Sequence, residues 1–274
     1  MGLAAPLARR AAALASLIAC ACAACVGTTG GQLVTFPAAA AGPADAIAGE
    51  PLRFTTDRGW TVVLSTATLH VGALYLDQSM PVSGSQGTNC VLPGTYVGQV
   101  TAGLDVNLLS PAPQPFPGQG SGTTEPPALV GQVWLTGGDV DVAATPSPPT
   151  TILTIAGTAS TGDIVMPFEG KLTIGANRQA SGSAAAGADP ICRQRIVSPI
   201  PTSVVVGSTG GLLLRVDPRL FFVNVDFSQL AKFSDSYGFS DDPTSAGYTQ
   251  PSLNLYQNLH SAGRLYTFSW TLPP

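Results

Sequence analysis

Beyond residue 50 the chain consists of short runs in which apolar and polar side chains alternate, the period-2 signature of half-buried strands. Trp60 to Leu64 follows the turn Asp57-Arg58-Gly59. Residues 67–76 read as one strand, with Leu69, Val71, Ala73 and Tyr75 on one face and His70, Leu74 and Leu76 on the other. Leu104, Val106 and Leu108 alternate with Asp105 and Asn107. Similar runs at 96–100, 129–135, 152–155, 164–168, 171–174, 196–200, 203–206, 212–216, 220–227 and 265–272 give roughly a dozen strands. Gly and Pro, 31 and 24 residues of 274, recur every few positions and break any 3.6-residue pattern. Because isolated hairpins are not stable in water, the strands must pack face to face. The expected fold is all-β, an antiparallel β-sandwich of Ig-like or jelly-roll-like kind, with Gly/Pro-rich loops at 110–127 and 143–150 and an Ala/Gly/Ser-rich one at 179–189.

The first residues follow a different rule. Arg9 and Arg10 precede an apolar run from Ala11 to Ala19, the plan of a secretory signal. The run is too short and alanine-rich for a retained span, which needs ~20 strongly apolar residues. Leu17-Ile18-Ala19-Cys20 resembles the bacterial lipobox. That resemblance implies cleavage before Cys20 and lipidation of its thiol; an ordinary signal cleaved in 21–24 is the competing reading. The acyl chains would provide the several membrane signals that stable anchoring takes. The absence of Asp at Ala21 resembles the sorting pattern of outer-membrane lipoproteins. The rest of the chain is loosely similar to uncharacterised exported β-rich bacterial lipoproteins, through Gly59-Trp60-Thr61-Val62, Arg215-Val216-Asp217-Pro218-Arg219 and Tyr266-Thr267-Phe268-Ser269-Trp270. The organisation expected is a signal peptide at 1–19, a lipidated N-terminus with a flexible tether at 20–50, and a single β-sandwich domain at 51–274.

Composition narrows the function. Without the leader, ten basic side chains face sixteen acidic ones, and Lys171 and Lys232 are the only lysines. Nucleic-acid binding needs clustered cations, so that class is set aside. Cys90 and Cys192 are the only cysteines beyond the leader and its junction, and in an exported domain they are expected to pair. Buried free thiols are the alternative.

Candidate chemistry is sparse. With two histidines, His70 and His260, any serine or cysteine triad must use one of them, and neither a G-x-S-x-G elbow nor an H-E-x-x-H motif occurs. The two histidines with a Met or carboxylate could hold copper or zinc. Arg215, Asp217 and Arg219 share one strand parity and suggest an ion-pair cluster at a bend set by Pro218. Residues 233–256 are too polar for core strands, yet eleven of the 19 aromatics fall in 221–270. Tyr237, Phe239, Asp241, Asp242 and Tyr248 are the ligand-binding candidates, because rings supply apolar contact and polar groups fix orientation. The competing reading is a loop whose aromatics pin it to the sandwich.

These features describe a non-catalytic, lipid-anchored protein of the cell envelope, expected at the outer membrane. It would bind a partner protein, a glycan or an envelope component, with no cofactor. A metal-binding lipoprotein using His70 and His260 is the alternative, and a hydrolase the third option.

Overall fold

The computed structural model describes residues 30–79, 95–138, 144–178, 191–233 and 236–272. Within them the chain forms seventeen strands in three mostly antiparallel sheets, with no closed barrel, as an all-β sandwich requires. The six-stranded sheet runs β1 (Leu33–Phe36), β9 (Gly120–Thr123), β6 (Tyr96–Val100), β5 (Ala73–Asp77), β10 (Ala128–Trp134) and β13 (Ile196–Val204). The seven-stranded sheet runs β15 (Ala231–Phe233), β16 (Ser236–Phe239), β12 (Ile164–Ile174), β11 (Thr150–Thr161), β4 (Thr61–Val71) and β3 (Leu52–Thr55), with β7 (Leu104–Asn107) also on β4. The four-stranded sheet runs β17 (Tyr266–Thr271), β14 (Gly211–Val216), β2 (Ala38–Ala41) and β8 (Gln114–Pro115). Side chains from all three sheets share one continuous core.

The run at 67–76 is not one strand. β4 keeps Val62 and Leu64 in the core, then Ala67, Leu69 and Val71; the change of parity falls at a register shift opposite Ala156 and Gly157. At Gly72 the chain leaves the seven-stranded sheet and enters the six-stranded one. A Cβ at Gly72 would lie 2.6 Å from the Gly137 nitrogen, so only glycine lets the two segments cross this closely. Parity flips again there. Leu74 and Leu76 face the common core, while Ala73 and Tyr75 turn to the opposite face and pack on Trp134. The expected shared face of Leu69, Val71, Ala73 and Tyr75 is therefore split, because a sheet-to-sheet corner interrupts the alternation.

Three further expectations are corrected. Residues 33–41, placed in the tether, form β1 and β2. β2 lies between β14, to which it is parallel, and β8, and Ala38, Ala40 and Ala41 are buried. A run of four alanines has no period-2 contrast, so its burial leaves no pattern to read. Residues 220–227 are not a strand but two 3-10 turns, Pro218–Phe222 and Phe227–Gln229, capped by the Asp217 and Asp226 side chains. Residues 233–256 are not an open loop. They form β16, a turn, and most of a helix that spans Gln250–Leu259. With a short helix at Ile191–Arg195, these are named α1 (Ile191–Arg195) and α2 (Gln250–Leu259).

Candidate functional site

Asp241 and Tyr248, and through Tyr256 also His260, meet around one side chain that was not singled out in the sequence, Arg178. It closes a 3-10 turn, Ala176–Arg178, after β12, and its side chain is 2 % exposed. Its Nη2 donates to Asp241 Oδ1 at 2.6 Å and its Nε to the Thr173 carbonyl at 3.1 Å. The guanidinium lies over the Tyr256 ring, its Cζ 3.8 Å from the centroid, and Nη1 reaches Tyr248 Oη at 3.5 Å, the long limit of a hydrogen bond. Asp241 also accepts from the Thr173 amide and hydroxyl and from Asn177 Nδ2. Asp241 is thus filled by intramolecular donors and not turned toward a ligand.

The same tie extends through α2. Tyr256 Oη donates to Gln194 Oε1 at 2.6 Å, and the Tyr256 and His260 rings lie 4.6 Å apart. His260 Nδ1 lies 2.8 Å from the Tyr256 carbonyl, and Nε2 lies 2.8 Å from the Gln194 carbonyl. Burial pushes the imidazole pKa below its ordinary value, against the two carbonyls, which favour the protonated ring. Both His260 nitrogens face backbone carbonyls inside the fold, so neither is turned toward an open site where a cation could bind. His70 lies elsewhere, on β4, with Nδ1 2.6 Å from Oδ1 of exposed Asp105 across the β4–β7 pair. The structure does not bring the two histidines to any shared partner, and among the described residues no group of three or more His, Cys, Asp or Glu could hold a metal.

The remaining ligand candidates divide. Phe239 is a core residue, edge-on to Phe168 at 5.8 Å and near Phe222 and Phe227. Tyr237, half-buried on β16, pairs in register with Phe168. Asp242 is exposed and accepts from the Thr244 amide and hydroxyl, which hold its pKa below the ordinary value. The segment chosen as a recognition loop is therefore largely a clamp that fixes α2 to the sheet; its aromatics were displaced toward the core. Arg219 pairs with Asp217, as expected, and also with Asp45, which the expected cluster did not include; Arg215 instead donates to the Gly42 and Pro111 carbonyls.

A cleft opens on the side of α2 away from this clamp. It has a volume of about 230 Å³ and is lined by Leu220, Val223, Asn258, Ser261, Arg264 and Leu265. The wall formed by Leu220, Val223 and Leu265 is apolar. Asn258 donates through Nδ2 to the Phe221 and Val223 carbonyls, which fixes the cleft's floor and leaves its Oδ1 as an acceptor. Arg264 is exposed and has no hydrogen-bonding or ionic partner among the described residues. No sequence signal marked Arg264 or Asn258, because the cleft exists only once the turn at 218–222 packs beside α2.

Cys192 is buried in α1 and is disulfide-bonded. Cys90 and the other three cysteines, Cys20 among them, lie outside the described residues. No family model and no curated protein matches the chain. Among solved structures, MbnP from Methylosinus trichosporium is similar at a TM-score of 0.37 and 14% identity, over 87% of this chain and 98% of that one. At that score and identity no function is carried over from it.

Proposed function

We propose that the protein is a non-catalytic binding protein of the bacterial cell envelope, held to a membrane by lipid on Cys20, with its domain further fastened by a Cys90–Cys192 disulfide. In this reading the recognition site is the cleft beside α2. The observation that carries it is an unpaired guanidinium, Arg264, at the rim of a cleft with an apolar wall. A planar guanidinium recognises a carboxylate through two parallel hydrogen bonds. At about 230 Å³ the cleft is smaller than the roughly 300–1,000 Å³ taken by drug-sized ligands. It suits one carboxylate-bearing group of a larger partner, a protein or an envelope component. The histidine-metal reading has no observation in its favour, since both His260 nitrogens face backbone carbonyls and His70 lies apart on β4.

Two measurements test this. A panel of short and acyl-chain carboxylates, read by thermal shift at fixed ionic strength, should raise Tm saturably. A ligand at ~100 times its Kd adds about 2.7 kcal/mol, worth roughly 5–10 °C for a domain of this size. Arg264→Ala should abolish the shift, Arg264→Lys should weaken it, and Asp242→Ala should leave it intact. No shift, or an equal shift in Arg264→Ala, would remove the cleft as the site. Separately, mass spectrometry of the mature protein should find an acylated N-terminal Cys20; a free N-terminus at 21–24 would remove the anchor.

A further inference from the structure

The corner at Gly72 has placed a carboxylate where none is expected. Asp77 ends β5 on the face turned away from the common core, beside Tyr75 of its own strand, Tyr96 of β6, and Gln132 and Trp134 of β10. Asp77 is 0% exposed, Gln132 1%, Trp134 4% and Tyr75 6%, whereas Tyr96 is 40% exposed. A short chain of hydrogen bonds orders the polar atoms. Trp134 Nε1 donates to Gln132 Oε1 at 3.0 Å, and Gln132 Nε2 donates to Asp77 Oδ2 at 2.7 Å. The other carboxylate oxygen, Oδ1, is buried and has no hydrogen-bond partner among the described residues. Tyr75 stands between the other two rings, 5.2 Å from Tyr96 and 4.9 Å from Trp134.

Buried polar atoms are nearly always hydrogen-bonded, and a buried charge without a counter-charge is costly. Burial pushes the Asp77 carboxyl up to about 6, eased only by Gln132, and no cation contributes. It is therefore ionised at neutral pH. Its charge, after burial itself, helps push the Tyr96 phenol up to about 12. Among the described residues, the ionisable groups facing it are Tyr75 from β5 and Tyr96 from β6, and β10 adds neutral Gln132 and Trp134. The surroundings are a carboxylate, two phenols and an indole, with Tyr75 packed on both other rings, and all of them favour a positive charge beside them.

We propose that Asp77, Tyr75, Tyr96 and Trp134 form a receptor for an alkylammonium group, which enters past Tyr96 and pairs with Asp77 Oδ1. Aromatic faces attract such cations through the ring quadrupole, and the carboxylate supplies the counter-charge. The donor set argues against a metal ion, because calcium takes six to eight oxygens and zinc wants nitrogen or sulfur. A water would fill the open oxygen and leave the charge uncompensated. This site is separate from the cleft beside α2 and carries the opposite preference, so either can fail without the other.

The test is thermal shift and Trp fluorescence on the full domain at pH 8, with ethylammonium and tetramethylammonium chlorides against sodium chloride at equal ionic strength. Both cations should give saturable responses. Asp77→Asn, which keeps the shape and the Gln132 contact, should lower affinity more than about tenfold. Tyr96→Ala should lower it about three- to fivefold. Affinity should also fall as pH is lowered through 6. Equal behaviour of the ammonium and sodium salts, or a response that survives Asp77→Asn, would overturn the proposal and leave a water on Oδ1 as the explanation. Binding of ethylammonium alone would retain the carboxylate contact and overturn the role given to the rings.

Discussion

Single residues carry most of the electrostatic tension in this molecule. The Asp77 carboxyl has its pKa raised by burial to about 6 from an ordinary value of 3.8. The folded state therefore holds its proton more tightly than the unfolded chain does. Linkage fixes the sign. Burying Asp77 costs nothing below pH 4; the cost grows as pH rises from about 4 to 6 and stays at its full value above that. The cost is of order 3 kcal/mol at neutral pH. Asp77→Asn should therefore raise the urea midpoint at pH 8 and flatten its change between pH 4 and 6. An unchanged profile would mean that the charge is compensated in the free protein. Arg178 and Asp241 show the opposite case, in which a buried guanidinium is fully paired. Asp241→Ala would strand that cation under Tyr256. A loss of about 3–5 kcal/mol in denaturant unfolding is expected, as for breaking one side of a buried pair.

At the scale of elements, what could be read from the sequence depended on how much contrast a segment carries. β4, with buried Val62, Leu64 and Leu69 set against Thr61 and Ser65, announced itself through alternation. β11 was read only over 152–155, and β12, one strand, was read as two runs at 164–168 and 171–174. β2, four alanines in a row, could not, and was assigned to a tether although it lies inside a sheet. The 220–227 run has the composition of a strand, but Asp217 and Asp226 compete with the ladder by capping local turns, and Asn224 at φ 56 bends the chain between them. The helix α2 was hidden because Gly247, Pro251 and a polar flank obscure its one apolar face, Leu255, Tyr256 and Leu259. Its stability comes from docking rather than propensity: the Tyr256 ring under Arg178, the hydroxyl on Gln194, and Asn258 tied to two carbonyls.

For the whole molecule, the all-β class followed from Gly and Pro spacing and the short apolar runs, because those features act locally and need no knowledge of pairing. The candidate sites did not follow, since both depend on which strands and turns become neighbours. Asp241, Tyr248 and His260 were selected for their chemistry, and the fold does gather them, yet around an arginine whose position after β12 no motif marked. Asp77 was passed over because a lone acid at a strand end carries no pattern. Only the switch of sheets at Gly72 decides that it points into a wall of rings and not into water.

The place of β2 also bears on where the chain can be shortened. Cutting at residue 51, where the tether was expected to end, would remove the strand that joins β14 to β8 and take β1 from the rim of the six-stranded sheet. The hydrogen-bonding edges of β14 and β8 would then be left bare, inviting self-association. A soluble form that starts ahead of Leu33 should be monomeric and unfold cooperatively in light scattering and calorimetry. One that starts at 51 should aggregate. The segment from Leu33 to Ala41 thus belongs to the folded body, with its alanines as an inner strand.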